Sequence, residues 1–208
     1  MPVIFIPYVT TPPPQMQQIN VISGGTSNLS RHPLYGLYDY SQGGIIYLAS
    51  ELVAAGIQAG SNIDALEFQF SGWGDNYTIH NQIIKMTHTA ATLFPDPADP
   101  SYRDIMVESL PIVKNNFTLI IPRNEDWIKF DFDNTFTWDG VHNILISWEN
   151  HDGSWKSGYG HLEGNLINSS NRSHNWFSDN SYPTRTSSWD NYLPNIRLWC
   201  DKVQALKK

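Results

Sequence analysis

Asn62-Ile63-Asp64-Ala65-Leu66-Glu67-Phe68-Gln69-Phe70-Ser71 is the stretch on which the fold turns. Its apolar and polar residues alternate, which places Ile63, Leu66, Phe68 and Phe70 mainly on one side of an extended chain. A period of two belongs to a half-buried strand and not to a helix. Residues 77–87 repeat the pattern, with Ile79, Ile83 and Met86 separated by polar residues. Residues 117–121, 127–132, 143–148 and 195–199 add short runs rich in β-branched and aromatic side chains, bounded by Gly, Asn, Asp or Pro.

Only one stretch reads as helix, residues 49–55, with Ser50 as its N-cap and Gly56 as its stop. Strands do not alternate with long helices, which excludes a doubly wound α/β sheet. The expected fold is all-β: an antiparallel two-sheet β-sandwich of jelly-roll type, with an extended N-terminal arm and one short helix. The expected layout is an arm over residues 1–20, the sandwich over 21–200 and a polar tail over 201–208.

The chain has 208 residues, 40% of them apolar and 16% charged, so a single core forms without disulfides or a structural metal. The lone cysteine, Cys200, follows Trp199 in an apolar run and reads as a buried, inert thiol. Thirteen basic residues stand against twenty acidic ones, a net charge of −7. The basic residues are scattered, so the footprint that neutralises phosphates is missing and nucleic acid is not an expected partner.

Residues 1–30 carry no Asp, Glu, Lys or Arg. They lack the positive start of a signal peptide, and Pro7 and Pro12-Pro13-Pro14 break any membrane helix, so neither export signal nor membrane insertion is expected. The apolar block Ile4, Phe5, Ile6, Tyr8 and Val9 has to be covered. It lies either on its own domain as an edge strand or on a neighbouring subunit as an assembly arm.

Residues 34–42 (LYGLYDYSQ) lead into Ile45-Ile46-Tyr47-Leu48-Ala49-Ser50-Glu51-Leu52, and the chain closes on Pro194-Asn195-Ile196-Arg197-Leu198. Between them come an Ile-Lys-Met strand at 84–86, a Trp-Ile-Lys-Phe-Asp-Phe strand at 127–132 and an Asn-Ile-Leu-Ile-Ser-Trp strand at 143–148. Across residues 24–199 this resembles the jelly-roll-like β-sandwich modules of large secreted Bacteroidetes proteins. The resemblance implies an adhesion or accessory domain and carries over no catalytic residue. A free-standing sandwich with an uncharged arm is also how many bacteriophage decoration, head-fibre and tail proteins are built, an analogy at the level of architecture.

Asp131, Asp133, Asp139, Glu149 and Asp152 are the carboxylates from which a glycosidase pair would be drawn, but Asp131 and Asp133 share the solvated face of one strand. Asp133 and Asp152, in Asx-rich loops, are weak candidates for a structural Ca²⁺, although turn formation explains the same letters. The histidines show no zinc spacing and no nucleophile elbow is present. No other cofactor is expected.

What stands out is aromatic density in the segments read as loops, above all residues 149–192. Trp73, Tyr77, Trp155, Tyr159, Trp176 and Trp189, set among Asn, Asp, Ser and Arg, suit stacking on sugar rings. The expected function is a non-catalytic assembly protein, a bacteriophage virion surface component docked on neighbouring subunits by its arm. The alternative is an exported, extracellular or cell-surface adhesion or carbohydrate-binding module.

Overall fold

A computed structural model describes residues 15–29, 31–72, 77–95, 109–121, 123, 126–157, 160–167, 171–182 and 186–201, of which 186–190 are described by their backbone alone. The arm block Ile4, Phe5, Ile6, Tyr8 and Val9 lies outside these residues. Two antiparallel sheets pack face to face, as alternation demands.

The first sheet contains β1 (Gln17–Ile22), β2 (Ser27–Leu29), β4 (Asn62–Ser71), β7 (Trp127–Thr137), β9 (His161–Leu166), β12 (Tyr192–Pro194) and β13 (Ile196–Cys200). Its order is β1-β13-β4-β9-β12, with β2 on β9 and β7 on β4. The second sheet contains β3 (Tyr40–Tyr47), β5 (Tyr77–Thr89), β6 (Ile112–Ile121), β8 (Asn143–Asn150), β10 (Ser173–Ser178) and β11 (Thr186–Asp190), in the order β11-β10-β3-β8-β5-β6.

Trp148 sits at the centre of the core, its ring edge-on to Phe130 at 4.9 Å and beside Phe117 and Phe68. Its buried indole N–H donates to Gln82 Oε1 at 2.8 Å, which satisfies the one polar atom such a position brings inside. Two backbone irregularities decide which residues join it. The pairing of β4 slips at Asp64 against both neighbours, a bulge that brings Ile63 onto the face of Leu66, Phe68 and Phe70. In β5 the register slips between Ile79 and Gln82, where Asn81 has φ 54. Beyond it Ile84 and Met86 enter the core, and Ile83, expected inside, turns outward.

The helix α1 (Ala49–Ala54) starts at the expected residue, but its N-cap is Leu48. Ser50 does not cap it; instead Glu51 accepts the Leu48 N–H at 2.8 Å. At the other end Gly56 (φ 92) donates to Val53 O while Ile57 donates to Leu52 O, a Schellman stop that a left-handed glycine permits.

Residues 149–192, expected as one long loop, instead contribute the end of β8, the strands β9, β10 and β11, and the first residue of β12. Their polar letters conceal strands because buried Ser173 and Asn175 donate to the carbonyls of Tyr192 and Gln42. The first described strand, β1, begins inside the segment expected as arm and pairs along β13, Gln17 opposite Cys200. Cys200 is fully buried, as expected.

The described strand ends named below gather at two poles. The terminal pole gathers the start of β1, the end of β13, α1 and the turn from β7 to β8. Here Asp201 accepts both the backbone N–H and the side-chain amide of Asn62. The loop pole, at the far end, gathers the turns before β3, after β8 and after β10.

Candidate functional site

At the loop pole, residues 31–40 and 151–157 are sewn together. Asp39 accepts the Trp155 N–H on Oδ1 at 2.6 Å and the Gly153 N–H on its carbonyl at 3.0 Å. Gly153 has φ 72, a conformation that favours glycine, and the Lys156 N–H reaches Gly36 O. Residues 31–35 press down on β3 so closely that a Cβ on Gly43 would lie 2.1 Å from Pro33 O.

Tyr35, Tyr38 and Phe177 form the floor, with Tyr38 and Phe177 4.4 Å apart and Tyr35 edge-on to Phe177 at 5.1 Å. At the same pole Trp155 is 58% exposed, and in the segment bonded to it Leu37 is exposed and Tyr38 and Tyr40 are half-buried. An exposed indole held by a backbone hydrogen bond to a carboxylate-bearing turn offers an apolar face beside hydrogen-bonding groups.

Of the aromatics expected to meet sugars, the structure exposes Trp155 and buries two others. Tyr77 belongs to the main core, its hydroxyl donating to Lys156 O at 3.4 Å, so it supports the pole from below. Trp176 is buried on the outer face of the second sheet with Ile46, Phe94 and Leu145, because β10 sets it beside Gln42 on a face covered by a second layer. Neither presents a ring to a ligand. Trp189 stands opposite His174 in β11, but its side chain, like Trp73 and Tyr159, lies outside the described residues. Leu37, Tyr38 and Tyr40 were not among the expected contacts, although the density of tyrosines over 35–40 marks them.

The carboxylates weighed for chemistry already hold structural partners. Asp152 accepts the His80 N–H at 2.7 Å and faces the Lys156 ammonium at 3.1 Å, while Asp133 accepts the Asn115 N–H at 2.7 Å from another strand. The two weak Ca²⁺ candidates are therefore not brought together. Among the described residues no three His, Cys, Asp or Glu are placed to hold a metal. Hydrogen bonds from the His142 backbone and ring, with the Val141 N–H, hold Asp139 well below the usual carboxylate range. Burial of Glu149 opposes its charge, but hydrogen bonds from His151 and Lys85 prevail and keep its carboxyl low. Burial also pushes His32 down to about 3 and His174 down to about 4, so both are neutral near pH 7.

No helix among the described residues is long and apolar enough to cross a membrane. No family model matches the chain, and no curated protein matches it.

Proposed function

We propose that this is a non-catalytic assembly protein, docked through its terminal pole and displaying its loop pole, in the manner of a bacteriophage virion surface component. The carrying observation is the opposition of the two poles. The first described strand starts at Gln17 and the last ends at Cys200, side by side, at the end remote from Trp155. The terminal pole also exposes Val141 (74%) and Val53, apolar side chains that gain from being covered by a neighbour. The engagement of the carboxylates supports a role without chemistry, since Asp139, Glu149 and Asp152 each already hold a structural partner.

The partner is a neighbouring protein subunit, a second copy or another component of the particle. Exposed Trp155, in its hydrogen-bonded turn, favours a second reading that is compatible with the first: glycan contact at the loop pole of an adhesion or carbohydrate-binding module.

Because the native thiol is buried, an introduced cysteine is labelled selectively. A bulky maleimide polymer on Val141→Cys is expected to prevent assembly, and the same label on exposed Ser154→Cys to leave it intact. The reverse pattern would place docking at the loops and overturn the reading.

A further inference from the structure

An open sheet edge offers N–H and C=O groups to any extended segment that reaches it. β1 (Gln17–Ile22) lies at the end of its sheet: β13 holds one side of it, and among the described residues no strand holds the other. Although α1 lies beside it, Gln17, Gln18 and Asn20 stay exposed. The outward side chains lean away from the open edge, the Gln18 amide donating to Glu67 and Asn20 accepting the Arg197 Nε–H over β13. The backbone of the edge is left uncovered by them.

The other edges among the described strands are guarded. β7 is met by β6, where Lys114 donates to Asp131 O, the Asn115 N–H to Asp133 and the Asn134 amide to Ile112 O. β2 and β12 are three residues long, and β12 ends in Pro194. β11 ends in Asp190. Natural edges are blunted by such charges, prolines and short lengths. β1 carries neither charge nor proline, and no Asp, Glu, Lys or Arg occurs in residues 1–30.

Such an edge suits an uncharged extended segment, and the chain carries one. As a strand, Val3-Ile4-Phe5-Ile6-Pro7-Tyr8-Val9 spans about 23 Å, against about 20 Å for the six residues of β1. A two-residue hairpin turn needs φ above zero, which the rings of Pro12-Pro13-Pro14, fixed at about −65°, do not permit. No tight turn at the prolines therefore returns the segment to the strand it leads into. We propose that residues 3–9 of one copy add as a strand to the β1 edge of a second copy, extending the first sheet across the subunit boundary. Buried Ile19 and half-buried Val21 and Ile22 carry the core out to that edge, a surface for the inward side chains of the added strand. Pro7, which has no N–H to give, then blunts the new outer edge. The proposal rests on the docking reading above and names its receiving surface.

The test is crosslinking of the full chain with a bis-maleimide spacer, selective because Cys200 is buried. Ile6→Cys mixed with Asn20→Cys is expected to give a covalent dimer, and Ile6→Cys mixed with Ser154→Cys, exposed at the loop pole, to give none. Gln18→Cys, equally exposed, serves as the second edge variant if loss of the Asn20 contact to Arg197 unsettles the strand. No dimer with either edge variant, while the full chain remains an oligomer by light scattering, would overturn this surface and leave docking intact. A monomeric full chain would overturn both. A link formed within single molecules of the doubly substituted Ile6→Cys, Asn20→Cys chain at high dilution would mean that the segment folds back on its own sheet, and would overturn the proposal as well.

Discussion

The outer faces of the two sheets obey the same alternation and meet opposite fates. On the first sheet Arg197, Trp199 and Lys129 remain at the surface, stacked and ion-paired where water still reaches them. On the second, Gln42, Ser147, Glu149 and Lys85 occupy the equivalent outward positions and are buried, beside an apolar cluster of Ile46, Phe94, Leu145 and Trp176. The difference arises because the chain after β5 folds back over the second sheet, its Phe94 N–H donating to Asn171 O at 2.6 Å. Polar groups on a covered face must satisfy one another, since no water remains to do so. Lys85 meets Glu149 at 2.5 Å, His151 meets the other carboxylate oxygen at 2.9 Å, and the Gln42 amide lies within 3.4 Å of both Ser147 and Glu149. On an open face the same residue types are interchangeable; on a covered one they are a set.

The largest test of that contrast is Phe94→Ala. It empties the second layer at a fully buried position and should cost about 3–5 kcal/mol in chemical denaturation. A loss below about 1 kcal/mol would mean that the layer does not carry stability. Next, Lys85→Met strands Glu149 without its cation and should cost about 3 kcal/mol, whereas Lys85→Met with Glu149→Leu should recover most of the loss. If the double variant is the less stable, the pair is a net stabiliser and the picture of mutual rescue fails.

Acid separates the faces further. His174, stacked on Trp176 in the covered layer, is held neutral by burial down to about pH 4, while an unfolded histidine protonates near 6.5. The unfolded chain therefore takes up a proton that the folded chain refuses. Stability is full above pH 6.5 and declines as pH falls toward 4, by up to about 1.4 kcal/mol per pH unit from this residue. His174→Phe should flatten that slope in denaturation curves measured at several pH values; an unchanged slope would show that the ring is not sealed. On the open face, Lys129→Ala should move stability by less than about 1 kcal/mol, because an exposed pair is worth little.

These contrasts also mark how far the fold and the site can be read from the residues. The two sheets follow from alternation in β4, β5, β7 and β8, since each buries one face in the same core. The parity changes at Asp64 and Asn81 do not, because a bulge inserts a residue without altering composition. The strands from β9 to β12 were hidden by their Ser, Asn and Gly content, whose polar atoms the fold satisfies with neighbouring backbone. Trp155 was legible as a surface aromatic, and Trp176 was not legible as a buried one. Which face acquires a second layer is set by where the segment after β5 lies, and no local pattern around Trp176 encodes it.

Whether the terminal pole docks and the loop pole is displayed is decided by the solution mass of the full chain and of residues 15–208. That truncation retains all of β1. Light scattering during size exclusion at matched concentration is expected to show a defined oligomer for the full chain and a folded monomer for the truncated one. Two monomers of equal mass and equal stability would contradict it, and would leave Trp155 and the glycan reading as the better description of the protein.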